Sequence, residues 1–285
     1  MTAVGIPISY EGPKVIKPRV SLLESVEVVN HADERFAGGL DISYDPCGDD
    51  SIGLWEYCVA DPAAIPTGPY STIATFNPFT ITAGVTCSTY GNISEQDFLL
   101  KADRLLEANI SKKLETELWT GATVGNDHLA QTSGTDLTGA TAISPQIAIA
   151  ALEQALGHRG VIHMSPLVLG GLLANGSENV EREVDPQTGA IRYFTFMGNP
   201  IVAGYGYPGT DESGGNPTST AEWIYATGPV VVHMGPVEHP AKEKVQAVST
   251  TTNDYTYYAQ QTAIATFDAS CGLYSAKVNR GYTVL

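Results

Sequence analysis

The sequence predicts an α+β protein in which one long helix is set among many short strands. Three observations carry that expectation: an amphipathic run from Ser94 to Trp119, Gly and Pro punctuation almost everywhere else, and period-two alternation of apolar residues in several short segments.

The long run has a start and a stop. Ser94 is placed to cap it, Glu95 and Asp97 put negative charge in the first turn where unpaired N–H groups favour it, and Gly121 ends it. Between these, Phe98, Leu99, Ala102, Leu105, Leu106, Ile110, Leu114 and Leu118 recur at spacings of three and four and form an apolar stripe. Lys101, Arg104, Glu107, Lys112, Lys113, Glu115 and Glu117 fall largely outside it. Phe98, Leu99, Ala102, Leu106, Ile110 and Leu114 are the expected core contacts of the helix, which would be roughly 38 Å long. A rod of that length braces a sheet or spans a subunit.

Ahead of it, residues 1–36 carry Pro7, Pro13 and Pro18 and little periodicity before Leu22, Leu23 and the run Val26–Val29. Proline discourages helix, so this reads as an extended arm lying across something else, with Leu22 and Leu23 offered to a neighbouring chain. From Ala37 to Tyr70 the chain is acidic and aromatic and has no Lys or Arg. Trp55 and Tyr57 alternate with polar neighbours as in a long hairpin, too thin to hide its own rings. Tyr44, Trp55, Tyr57 and Tyr70 are therefore expected to meet another subunit; the alternative is an irregular surface loop with tucked-in aromatics. Thr75–Cys87 is a strand signal feeding the long helix.

After Gly121 the polar stretch Thr132–Thr141 reads as a linker. Ser144–Pro145 starts a helix through Leu156, closed by Gly157, with Ile147, Ala148, Ala151, Leu152 and Leu156 inward. Val161–Met164 reads as a buried strand and Ser165–Pro166 as a second helix start, so this part should be a small mixed sheet covered by helices. Phe194–Met197, Gly198-Asn199-Pro200 and Ile201-Val202 give strand, turn and strand; Trp223–Ala226 and Val230–His233 give two more strands. Finally, Ala263, Ala265, Phe267 and Ala269 alternate with polar residues, as do Tyr274, Ala276 and Val278 after the turn at Ser270-Cys271-Gly272. A hairpin covering the long helix is the expectation.

Composition narrows the function. The chain has 285 residues, 16% of them charged, and a formal net charge of -16, so gripping nucleic acid through phosphate contacts is disfavoured. No apolar stretch is long enough to span a membrane, and the first ten residues lack a secretory pattern, which points to the cytosol. Cys47, Cys58, Cys87 and Cys271 are scattered and are expected to be reduced. No nucleophile elbow, phosphate loop or metal-binding helix pair is present, so no catalytic, cofactor-binding or metal residue is assigned and no cofactor is expected. His158 and His163 are separated by a glycine turn and read as satisfied structural histidines; Asp41, Asp45, Asp49 and Asp50 lack the ligand spacing of a calcium loop.

This order of elements resembles the major capsid proteins of tailed bacteriophages with the HK97-like fold. The resemblance rests on the Ser94–Trp119 spine followed by Gly121, on Gly198-Asn199-Pro200-Ile201-Val202, and on the closing strand from Thr262 to Ala269, and it spans nearly the whole chain. It implies an N-terminal arm at 1–36, an extended β-hairpin loop at 37–74, a peripheral domain at 75–131 with 251–285, and an axial domain at 132–250. It also implies a structural, non-enzymatic role: hexamers and pentamers of an icosahedral virion shell, assembled in the host cytoplasm, close to packaged DNA without gripping it. Portal and decoration proteins are implied as partners, and since no long assembly domain precedes the arm, any scaffolding protein is expected to be separate or dispensable. Some members weld subunits through a lysine on the extended loop; from Phe36 to Leu100 there is no lysine, so such a bond is not expected. Two other readings stay open: an encapsulin-type compartment of the same fold, and a cytosolic hydrolase with a scattered site.

Overall fold

The computed structural model describes residues 13–44, 73–88, 95–139, 141–174, 180–213, 215–218, 220–240, 247–249 and 254–280. In chain order, a short helix α1 (Leu22–Ser25) precedes strand β1 (Glu27–Asn30), and β2 (Leu40–Ser43) pairs antiparallel with β3 (Ile73–Phe76). Strand β4 (Phe79–Ser88) leads to the spine α2 (Glu95–Thr120). Then come β5 (Thr135–Asp136), α3 (Pro145–Leu156), β6 (Val161–Met164) and α4 (Pro166–Ala174). The strands β7 (Val180–Val184), β8 (Ile191–Thr195), β9 (Pro200–Ala203), β10 (Ala221–Thr227) and β11 (Val230–Glu238) follow. The chain closes with β12 (Ala247–Ser249), β13 (Asp254–Phe267) and β14 (Leu273–Asn279).

Two larger sheets organise these elements. One runs β1-β11-β13-β12, with β4 also paired to β13; the other runs β5-β14-β10-β6-β9-β8-β7. The spine packs on β4 and β13 of the first. Because side chains alternate along a strand, β13 serves two cores at once. Ala259, Ala263, Ala265 and Phe267 face Ala102, Leu106, Ile110 and Leu114 of the spine, while Ile264 joins Phe36 and Phe76 on the other side. The second sheet is divided likewise. Ile162, Ile201 and Ile224 pack with Leu152 of α3 and Val168 and Leu172 of α4, whereas Val161, Val202 and Tyr225 join the cluster that contains Trp119 at the spine's end.

Local signals place several element ends. Ser144 accepts from the Ile147 N–H and Gly157 takes the left-handed conformation at φ 66°, bounding α3. Gly121 closes the spine at φ 58°, and a Cβ there would stand 2.5 Å from His128 Nδ1, so sterics as well as backbone angle reserve the position for glycine. The Thr75–Cys87 strand is split at Asn77-Pro78 into β3 and β4, as a proline without an N–H dictates.

Three expectations are corrected. The closing hairpin does not form: β13 lies in the first sheet, and a short turn at Ala269–Cys271 followed by Gly272 at φ 102° sends β14 into the second, between β5 and β10. The alternation identifies both strands but is silent on which sheet each joins. On α3 the inward stripe is Pro145, Ala148, Ile149, Leu152 and Leu156, whereas Ile147 is exposed. Cys271 is disulfide-bonded, contrary to the expectation of four reduced thiols, and the other half of that bond is not among the described side chains.

Candidate functional site

The spine's C-terminal half carries a buried polar cluster. Ser111, Glu115 and Trp119 follow one another at spacings of four, so they share a face that turns toward the second sheet. Glu115 is completely buried. Its Oε1 accepts from the Leu22 backbone N–H at 2.9 Å and from Ser111 Oγ at 2.9 Å, and its Oε2 accepts from the Gly206 N–H at 2.8 Å. One carboxylate thus ties the arm, the spine and the loop after β9 together. Burial pushes its carboxyl pKa up, against the Leu22, Gly206 and Ser111 donors that pull it down.

Around this knot the packing is aromatic. Trp119 lies 5.0 Å from Tyr207 and 4.8 Å, edge-on, from Tyr225, and its Nε1 donates to Thr210 Oγ1 at 3.0 Å. The backbone approaches closely: a Cβ on Gly206 would fall 2.1 Å from the Lys112 carbonyl oxygen. His163 is fully buried between Tyr207 Oη at 2.9 Å and Thr227 Oγ1 at 3.1 Å. Desolvation holds its pKa down at about 3, so it is a neutral structural histidine. Burial also raises the Tyr207 hydroxyl well above its ordinary value. Nearby, Glu222 receives Arg280 through Nε at 2.9 Å and Nη2 at 2.8 Å, together with Ser165 Oγ. Glu117 accepts the Thr123 and Val124 N–H groups and fixes the turn after the spine.

Glu115 and Glu117 fall outside the apolar stripe of the sequence, yet both are buried. The readable signal was the 111-115-119 spacing ending on a tryptophan, which places the carboxylate on an apolar face. Of the expected spine core, Ala102, Leu106, Ile110 and Leu114 are buried, while Phe98 and Leu99 are half-buried. Phe98 stacks on Tyr257 at 5.4 Å. The capping residue Ser94 lies outside the described residues.

The expected inter-subunit contacts divide differently. Leu22 is fully buried in its own chain beside the spine, so it has no surface left for a neighbour; its amide bond to Glu115 pins it there. Leu23 is half-buried against the same core. Tyr44 is half-buried against Phe36, Phe76 and Ile264. Trp55, Tyr57 and Tyr70 lie outside the described residues. Sequence reasoning missed other outlying apolar side chains: Val15 and Ile16 on the arm, 61% and 82% exposed, and Phe196 and Met197 at the β8–β9 turn, 75% and 71% exposed. Among the described residues, no group of three or more His, Cys, Asp or Glu side chains is arranged to hold a metal ion, and no helix is long and apolar enough to cross a membrane.

No family model matches the sequence, and no curated protein does. The fold does have counterparts. The capsid of the native GTA particle superimposes with a TM-score of 0.57 at 13% identity, covering 97% of this chain and 95% of that one. The SrpI encapsulin of Synechococcus elongatus gives 0.54 at 12% identity over 97% and 95%, and a structure of Gordonia phage Cozz 0.53 at 10% over 97% and 91%. With coverage of nearly the whole length on both sides, and with the long helix braced on one sheet and locked into the next, the chain has the HK97-like fold.

Proposed function

We propose that this chain is the major head-shell protein of a tailed bacteriophage. Many copies tile a closed icosahedral container around double-stranded DNA, and the chain has a structural and not an enzymatic role. The observation that carries the reading is full-length correspondence with shell subunits, in a body whose inside is knotted by Glu115 while Val15, Ile16, Phe196 and Met197 are left outside. A monomer gains nothing from such surfaces; a tile covers them repeatedly with weak contacts that add up in a closed shell.

In this reading residues 1–36 are the arm, 37–74 the extended loop with β2 and β3 as its base, 75–131 with 251–285 the peripheral domain, and 132–250 the axial domain. The sheets qualify those bounds: β11 belongs with the spine's sheet and β14 with the other. Tyr44, Trp55, Tyr57, Tyr70 and Leu23 remain the proposed loop and arm contacts. Separate scaffolding, portal and decoration proteins would be the partners, with assembly in the host cytoplasm.

The match to an encapsulin supports a second reading, a cargo compartment of the same fold. Expression with the native gene neighbours, followed by particle purification and analysis of the contents, separates them. Nuclease-protected DNA supports the virion; a co-purifying enzyme inside the particles supports the compartment; a persistent monomer with turnover rejects both.

A further inference from the structure

A groove of about 550 Å³ opens between the arm, the middle of the spine and the end of β11. Its apolar lining comes from Leu23, Val28, Leu106, Ile110, Met234 and Val237. Its rim is acidic in part: Glu24 is paired with Lys17 at 3.1 Å and Asp103 with His239 at 2.6 Å, while Glu107 is exposed and has no ion pair among the described residues. A few residues upstream, the arm presents the complement. Val15 and Ile16 are an exposed apolar pair flanked by Lys14 and Lys17, and Lys14 too has no ion pair among the described residues.

These two features are not in contact within one chain. Lys17 and Pro18 form a wall of the groove, whereas Val15 and Ile16 lie open to solvent and do not line it. The exposed apolar pair beside Lys14 and the apolar trough beside Glu107 complement one another, one cation to one carboxylate. Such a contact joins two copies, each giving one arm segment and offering one groove.

We infer that the groove is the receptor for the Lys14–Lys17 segment of a second copy of this chain. Val15 and Ile16 enter the trough, and Lys14 meets Glu107. The inference rests on the shell reading and names the partner of the arm within it. It also gives Glu115 a further consequence: by fixing Leu22, it anchors the arm between Ser21 and Leu23, which line the groove.

The test uses the full chain with a photoreactive p-benzoylphenylalanine in place of Ile16, assembled from a mixture of ¹⁵N-labelled and unlabelled protein. After irradiation, mass spectrometry should find conjugates from position 16 to residues 103–110 or 234–237 that join labelled to unlabelled chains. Val237→Asp, a substitution on the exposed rim, should abolish them while the circular dichroism spectrum stays unchanged. Conjugates confined to chains of one isotope, conjugates elsewhere, or indifference to Val237→Asp would overturn the inference. Particles seen by electron microscopy without groove conjugates sink this contact alone; absence of any association sinks the shell reading with it.

Discussion

The two halves of the spine are built to different standards. From Ile110 to Trp119 the helix is clamped between both sheets: Ile110, Ser111, Leu114, Glu115, Glu117, Leu118 and Trp119 are all buried, Glu115 accepts from the arm and from the loop after β9, Glu117 from the turn after the spine, and Trp119 donates to Thr210. From Phe98 to Leu105 it rests, among the described residues, on the first sheet, with Ala102 buried, Phe98, Leu99 and Leu105 half-buried and Leu100 exposed. One end is finished by the chain's own residues; the other keeps a partly exposed apolar flank among the described residues. On the proposed reading a tile would need both, because a body that shares its surface with neighbours must be rigid before the neighbours arrive.

The sharpest way to break this comparison is to cut into the finished half. Trp119→Ala removes an indole packed by Tyr207 and Tyr225 together with its bond to Thr210, and should cost about 3–5 kcal/mol in urea unfolding of the unassembled protein. Glu115→Ala leaves the Leu22 and Gly206 N–H groups without their acceptor and should cost about 2–5 kcal/mol, with Glu115→Gln recovering part of it because an amide oxygen still accepts. Were Glu115→Ala as stable as the parent, the knot would be incidental.

Acid probes the same half. His163 has its pKa lowered to about 3, so the unfolded chain binds a proton there at a pH where the folded chain does not. Its contribution is complete above about 6.5 and is lost as pH falls, by about 1.4 kcal/mol per unit, until the folded value is reached. Glu115 runs the other way: its raised pKa makes ionisation a growing cost as pH rises above the ordinary carboxyl range, so acidification relieves it. Urea midpoints followed from pH 7 to 4 should therefore fall less steeply in His163→Gln than in the parent. Equal slopes would contradict the neutral, desolvated histidine.

Exposed apolar side chains, Leu100 on the open half of the spine and Phe196 at the β8–β9 turn, should respond in the opposite sense. Leu100→Asp and Phe196→Asp should change unfolding free energy by no more than about 0.5 kcal/mol, because these side chains touch little of their own chain. Their effect should appear in sedimentation, as loss of large particles. The smallest expected effect is a null one: boiling assembled protein in detergent and reductant should give a single monomer band, since no lysine lies between Phe36 and Leu100. A ladder of multimers would show that another residue makes the weld.

Much of the scaffold was legible because its signals are local. Gly121 and the Ser144–Gly157 pair mark helix ends through backbone angles and capping, and the alternation through Ala263, Ala265 and Phe267 marks a strand with a buried face. What stayed hidden depends on partners distant in sequence. The period of two in β14 does not say that β10 will be its neighbour and not β13, and a charge at position 115 does not announce three donors waiting from residues 22, 111 and 206. The candidate surfaces were less legible still. Leu22 looks like a sticky arm residue until its amide is seen bound to Glu115, while Val15, Ile16, Phe196 and Met197 drew no attention because isolated apolar residues are common on any surface.

Electron cryomicroscopy of the purified full chain, across a range of salt and with its natural neighbours present, tests the central claim most directly. The account predicts closed particles whose wall is tiled by this fold, with the finished half of the spine inside each subunit and the apolar arm and loop surfaces against adjacent copies. A field of solitary subunits under every condition would contradict it.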